Sequence, residues 1–221
     1  MAISDSFAYF IKRNGQPLNR IAVDPIDVEK YRGSVPDSLI EFWLEVGWGE
    51  YLDGLLKVSD PSILQPIISM LFSRDPELSS TSSTVYAHTV FGELFVWNKQ
   101  HRNINVNLLT YTLSAPRLLN PIRRIPDERE VAVPLYTFEK RGHDAYDENG
   151  NGLYDRACSA LGRPEIDECF GFFPALALGG LKTISNLRRI KAREHFAILA
   201  QLKPLQLVDY QTTPPMVVRE L

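Results

Sequence analysis

The feature that most constrains this fold is a block of three segments near the middle of the chain, rich in Val, Tyr, Phe and Thr. The segments span residues 84–89, 93–98 and 104–112, and short turns separate them. Runs of β-branched and aromatic residues bounded by turn residues are typical of strands, and short connections favour antiparallel pairing. The block therefore predicts an antiparallel meander of three strands.

Helical patterns flank this block on both sides. They cover residues 5–12, 25–31, 36–46 and 60–72 before it, and part of 126–138, 153–161 and 186–202 after it, with a last strand predicted at 205–210. In 36–46, Leu39, Trp43 and Val46 form an apolar stripe, and Gly47 ends the pattern. Helices around one block of strands predict an α+β fold, with a central antiparallel sheet flanked by helices and a helical C-terminal third.

Three prolines, Pro116, Pro121 and Pro126, interrupt regular structure between the two halves of the chain. They predict two closely packed domains, residues 1–120 and 121–221. Trp43 and Phe95 are expected in the core, and the pair Gly179-Gly180 is expected to be required by the backbone conformation.

Composition excludes several classes of protein. Apolar residues make up 44% of the chain and the net charge is −3, so neither a disordered chain nor a general nucleic-acid coat protein is expected. Two cysteines cannot form a secreted disulfide framework, and no apolar run approaches the roughly 20 residues of a membrane span. The first 11 residues lack a cationic start followed by an apolar stretch, so we expect a cytoplasmic protein.

The motifs that suggest chemistry are all incomplete. Residues 147–152, DENGNG, fit the first half of a calcium loop, but Cys158 stands where a bidentate glutamate belongs. This favours an ordinary polar loop and leaves cation binding open. The possible zinc ligands match no known zinc spacing; they are His143, Cys158, Cys169 and His195. Residues 179–183, GGLKT, lack the Gly-Lys-Ser/Thr order of a phosphate loop. We therefore predict no catalytic residue, no metal and no cofactor, that is, a protein that is not an enzyme.

The sequence also predicts how far the last long helix is buried. The predicted helix 186–202 is basic in its first half and apolar in its second, which indicates a buried helix with one solvated end. Glu194 lies within the apolar arc of this helix, which consists of Leu187, Ile190, Ala197 and Ile198. We expect that carboxylate to have a basic or hydroxyl partner inside the fold, and the alternative is that the arc is a partner-binding face.

The segment GFFPALALGG at residues 171–180, followed by NL at 186–187 and EHFAIL at 194–199, resembles the C-terminal domain of type VI secretion DNase-immunity proteins. LYDRA at 153–157 and LG at 161–162 fit the same domain. Upstream, VP at 35–36, FW at 42–43, GWG at 47–49, DP at 60–61 and FGELF at 91–95 are similar to the GAD-like domain. The resemblance implies a bacterial, cytoplasmic protein that binds and blocks a toxic effector, with a nuclease as the expected target. It implies no catalytic residue.

Two acidic regions are candidates for contact with such a partner. Asp37, Glu41 and Glu45 repeat along one helix face, and Glu50 and Asp53 follow closely. The rival site is an acidic loop that contains Asp144, Asp147, Glu148 and Asp155. Carboxylates on either surface would complement the basic DNA-binding surface of a nuclease. An ordinary solvated helix face is the alternative for the first region.

Other functions stay open at this point. The chain could be a regulatory protein-binding module that never meets a toxin, or a hydrolase whose site the sequence does not reveal. A neighbouring gene for a secreted toxin would distinguish the first of these from an immunity protein, and metal-dependent activity of the pure protein would favour the second. We expect neither direct contact with nucleic acid nor association with a membrane.

Overall fold

The computed structural model describes residues 3–122 and 125–221. Positions 123 and 124 of the predicted domain boundary, and the first two residues of the N-terminal segment, lie outside the described residues.

The helices and strands of the N-terminal half alternate before the meander begins. They are α1 (Asp5–Asn14), β1 (Leu18–Ile21), α2 (Pro25–Glu29), α3 (Asp37–Val46), β2 (Trp48–Tyr51), β3 (Leu56–Val58), α4 (Pro61–Leu71), β4 (Ser83–Thr89), β5 (Glu93–Asn98), β6 (Arg102–Asn107) and β7 (Thr112–Ser114). The C-terminal half contains α5 (Pro116–Leu119), α6 (Asp127–Glu130), α7 (Val133–Tyr136), α8 (Lys140–His143), α9 (Tyr154–Leu161), β8 (Glu168–Phe172), β9 (Leu187–Lys191), α10 (Ala192–Leu202), β10 (Gln206–Asp209) and β11 (Met216–Glu220).

Most of the strands form one large sheet. Within the described residues it has nine strands in the order β1-β2-β3-β4-β5-β6-β7-β10-β11, and β8 pairs with β9 in a separate ribbon. All neighbouring strands are antiparallel except β7 and β10, which run parallel. The predicted α+β class with a central antiparallel sheet, flanking helices and a helical C-terminal region is confirmed.

Helices cover both faces of the sheet. On one face α4 and α10 pack against the apolar side chains of β4 to β7, with Phe196 and Leu199 of α10 fully or almost fully buried. On the other face α1, α3, α7 and α9 pack against β2 to β5, and Trp43 lies there without exposed surface. Phe95 is buried on that second face, so both residues predicted for the core are in it.

The predicted third strand is interrupted. The side-chain oxygen of Asn107 accepts hydrogen bonds from the backbone N–H groups of Leu109 and Thr110, at 3.0 and 3.1 Å. This turn, in which Tyr111 has φ +56°, divides residues 104–112 between β6 and β7. An asparagine that bonds its own following backbone offers the chain an alternative to a continuous ladder.

The predicted helix over residues 186–202 is wrong in its first half. Residues 187–191 are strand β9, which pairs with β8 from Phe172↔Leu187 to Glu168↔Lys191, and the helix begins at Ala192. As a consequence Glu194 is exposed at the start of α10, so its expected internal partner is also a wrong prediction. The apolar arc assigned around it does not exist, because Leu187 and Ile190 belong to the strand.

The sheet crosses the predicted domain boundary. β10 and β11, from the segment 121–221, extend the sheet built by the first 120 residues through the parallel pairs Leu207↔Leu113 and Gln206↔Thr112. The two segments share one sheet, and the division into two domains stays a prediction.

Candidate functional site

The acidic face of α3 points away from the core. Glu41 is half-buried and Glu45 is exposed, whereas Leu39 and Trp43 on the opposite face are fully buried. The start of this helix is occupied by another carboxylate, since Glu128 accepts from the backbone N–H groups of Ser38 at 2.7 Å and Asp37 at 3.3 Å. The helix therefore carries acids along its exposed side, and its positive end is capped from within the protein.

Glu50 is not a surface residue, which corrects its prediction as a partner contact. Its side chain has no exposed area, and it lies opposite Lys57 in the β2–β3 pair, also without exposed area, with Glu50 Oε1 3.3 Å from Lys57 Nζ. Asn19 donates to Glu50 Oε2 at 2.8 Å. The sequence hides this because β2 is too short for its alternation to reveal an inward-facing acid.

Lys57 connects the sheet to the C-terminal half of the chain. Its ammonium donates to the backbone carbonyls of Glu165, in the segment before β8, and, at 2.9 Å, of Glu168, the first residue of β8. Burial lowers the pKa of Lys57, and the nearby Glu50 carboxylate opposes that shift. His88 lies opposite Lys57 on β4, and its burial together with the lysine charge lowers its pKa to about 3. The three side chains are sealed from solvent, so their arrangement is a structural connection and offers a substrate no access.

The acidic loop, residues 144–152, is held by two of its own carboxylates. Asp147 accepts from the backbone N–H groups of Asn149 and Asn151 and from Arg156 at 2.6 Å, and these bonds lower its pKa to about 2, with the Asn151 contact the largest cause. Asp144 accepts from the N–H of Tyr154 at the start of α9. Burial raises the pKa of Asp144, and this hydrogen bond opposes the shift.

Two further candidate acids, Asp155 and Asp53, lie next to Tyr154. Asp155 is next to it in α9 and pairs with Lys140 at 2.5 Å. The Tyr154 hydroxyl donates to the backbone carbonyl of Asp53 at 2.6 Å, and the Asp53 carboxylate lies 3.9 Å from Arg163. Each of these two acids therefore has its own basic partner, Lys140 for Asp155 and Arg163 for Asp53. In the acidic loop, Glu148 is exposed.

A second loop lies beside the acidic loop. This apolar loop, residues 173–182, exposes Phe173, Leu178 and Leu181 by 46%, 65% and 56%. A cavity of about 350 Å³ separates the two loops, and its lining comprises Tyr146, Asp147, Glu148, Leu176, Gly180, Leu181 and Lys182. An acidic rim and an apolar wall therefore face each other across one groove.

Metal binding finds no support in the arrangement of possible ligands. Over residues 3–122 and 125–221, no group of three or more His, Cys, Asp or Glu side chains could hold a metal ion. Both oxygens of Asp147 are engaged by the loop backbone and Arg156, and Cys158 is in helix α9. In the same residues no helix is long and apolar enough to cross a membrane.

Comparison with known families assigns both parts of the chain. Residues 5–110 match the GAD-like domain. Residues 135–203 match the C-terminal domain of the type VI secretion system immunity protein Tdi1. The chain thus carries a GAD-like domain ahead of a Tdi1-type C-terminal domain, and the C-terminal match supports an immunity role in type VI secretion and binding to a cognate effector. The resemblance predicted from the sequence is confirmed.

A solved structure shares the fold over almost the whole chain. The crystal structure of Atu4351 from Agrobacterium tumefaciens has 22% sequence identity and a TM-score of 0.92, with 97% of each chain covered. At this identity the likeness concerns the fold. No curated protein matches the sequence.

Sequence reasoning missed the exposure of the apolar loop. The apolar composition of GFFPALALGG favours burial, and nothing in its pattern marks its leucines as surface residues. Two adjacent glycines could have indicated a tight turn whose apolar side chains cannot all turn inward, because Gly179 has φ +83° and a Cβ on Gly180 would lie 1.9 Å from the Pro174 carbonyl oxygen. The predicted backbone requirement at these two glycines is confirmed.

Proposed function

We propose that this protein neutralises a nuclease effector of a type VI secretion system, in the cytoplasm, by binding it and covering its substrate-binding surface. The observation that carries the proposal is the match of residues 135–203 to the C-terminal domain of the immunity protein Tdi1. A nuclease surface is basic because it binds phosphates, and the exposed acids on α3 and near α9 would complement it. Inhibition by occlusion requires no chemistry from the inhibitor.

The first experiment tests protection. The product of the effector gene adjacent to the gene of this protein is expressed in a sensitive bacterium with and without this protein, and survival is counted. We expect survival only with the immunity protein, and unchanged killing in its presence would contradict the proposal.

A second experiment tests the mechanism and the nature of the effector. The purified effector is incubated with supercoiled plasmid, and this protein is added in increasing amounts. Stoichiometric loss of plasmid cleavage supports occlusion of a nuclease. Binding without any cleavage by the effector alone would place the effector in another class, and cleavage by this protein alone would favour the hydrolase alternative.

A further inference from the structure

The apolar loop carries several exposed apolar side chains close together in sequence. Phe173, Leu178 and Leu181 lie within nine residues, and each leaves between 46% and 65% of its area exposed. Single exposed apolar residues are ordinary on a protein surface, whereas a group of them marks an interaction site.

This loop is held in place by its own backbone. The N–H groups of Leu178 and Gly180 donate to the Ala175 carbonyl at 2.8 and 3.1 Å, and the N–H of Phe173 donates to the carbonyl of Asn186 at 2.8 Å. The Asn186 side chain donates to the Leu181 carbonyl at 3.1 Å. The apolar side chains are therefore presented from a fixed backbone, which reduces the conformational entropy that a binding partner would have to remove.

The facing acidic loop is fixed in the same manner. Asp147 is satisfied by the loop backbone and Arg156, which leaves Glu148 exposed on the rim of the groove. Lys182 lines the opposite wall. The groove thus combines apolar walls of Leu176 and Leu181 with a carboxylate at its edge.

We propose that this groove between the acidic and apolar loops is where the protein holds its effector, through an apolar anchor of the effector with a cation next to it. The inference rests on the proposed function and specifies its binding surface. Every residue of the groove lies within the segment 135–203, which is the part of the chain that implies an effector partner. The aliphatic stem of an effector arginine or lysine suits such a groove, because the stem packs on leucine while the charge reaches Glu148.

The test uses two variants of the apolar loop and a matched control. Leu181→Asp places a charge on the wall of the groove, and Leu178→Asp places one three residues earlier in the same loop, outside the groove lining. Both side chains are exposed enough for the fold to tolerate the change. Ile26→Asp makes the same change at a residue that is 79% exposed on α2 in the GAD-like domain. Affinity for the purified, catalytically inactivated effector encoded by the adjacent gene is measured by surface plasmon resonance, and thermal unfolding verifies each fold.

The expected result is a Kd at least about 30-fold higher for Leu181→Asp, as for other interface hot spots, a smaller increase for Leu178→Asp, and an unchanged Kd for Ile26→Asp. Unchanged affinity of Leu181→Asp, with tight binding by the original protein, contradicts binding at the groove and leaves the proposed function intact. No binding by the original protein overturns both. A dimer of this protein alone that Leu181→Asp dissociates would assign the groove to a second copy, and this also contradicts the inference.

Discussion

Lys57 shows how much can depend on one residue. It has no exposed area, and it bonds to backbone carbonyls before and at the start of β8 as well as pairing with Glu50. Removing one member of a buried ion pair leaves the other charge without compensation, which typically costs about 3–5 kcal/mol. We therefore expect Lys57→Met to lower the free energy of unfolding by about that amount in urea titrations.

The control for Lys57→Met is the double variant Lys57→Met with Glu50→Gln. Because the second change removes the uncompensated carboxylate, part of the lost stability should return. A double variant no more stable than the single one would show that the carbonyl contacts of Lys57, and not its pairing with Glu50, account for the loss.

His195 makes stability depend on pH. Burial lowers its pKa to about 4, so the folded protein keeps this histidine neutral while the unfolded chain takes up a proton near pH 6.5. Unfolding then binds a proton between these two values, and stability falls as pH decreases from about 6.5 to about 4, at up to ~1.4 kcal/mol per pH unit.

Urea unfolding at several pH values measures this slope. His195→Gln should reduce it by the contribution of one proton, whereas His101→Gln, in the turn between β5 and β6, serves as the matched control. His88 adds to the same slope, since its folded pKa is also lowered, to about 3. Equal slopes for the His195 variant and the original protein would contradict the assignment.

At the scale of elements, α3 was predictable because its signals are local and agree with one another. The apolar stripe, the proline before its first turn and the terminal glycine all lie within 12 residues, and the helix spans Asp37–Val46. What the sequence could not indicate is the capping of this helix by Glu128, which lies 90 residues away from Ser38.

We expect Trp43→Ala to cost about 3–5 kcal/mol, as large-to-small changes in a core do. Trp43 has no exposed area and meets the Tyr31 ring edge-on at a centroid distance of 5.7 Å. Urea unfolding decides the point, with Glu41→Ala on the half-buried opposite face as a control that should cost far less. A loss below about 1 kcal/mol for Trp43→Ala would mean that the packing around it relaxes almost completely.

The wrong prediction of a helix at residues 187–191 arose because the local signals there agree with a helix and the strand depends on a distant partner. Leu187, Ile190 and the basic residues between them continue the pattern of the following helix, so a local reading extends that helix backwards. The strand exists because β8 supplies its partner, and strand preference depends on cross-strand contacts more than on the segment itself. Likewise β2 and β3, of four and three residues, are too short for periodicity to detect.

At the scale of the whole molecule, the predicted class of fold was accessible and the extent of the sheet was not. The central meander established antiparallel strands, but the sheet continues into β10 and β11 only through the parallel contact with β7. Of the candidate acids, the sequence could place Glu41 and Glu45 on an exposed helix face. It could not tell Glu50, which is buried, from Glu148, which is exposed, because that difference is set by residues distant in sequence.

The rate at which the protein associates with its effector is expected to depend on the charge of Glu148. Asp147 is engaged within its loop, so changing it would disturb the loop as well as the charge, and Glu148 is the cleaner choice. We expect Glu148→Lys to slow association several-fold and to weaken its dependence on salt, since exposed charges steer encounter over about a Debye length. Glu148→Gln, which removes the charge without reversing it, should have a smaller effect in the same direction.

The comparison is the double variant Glu41→Lys with Glu45→Lys on α3. Association rates are measured by stopped flow at low and moderate salt with the inactivated effector. If the charge at the groove steers the effector, the double variant on α3 should associate at nearly the original rate. A slower rate for the α3 pair together with an unaffected Glu148→Lys would move the steering surface to α3. If neither surface alters the rate, the interface depends on apolar contacts, and loss of affinity in Leu181→Asp would then appear entirely as faster dissociation.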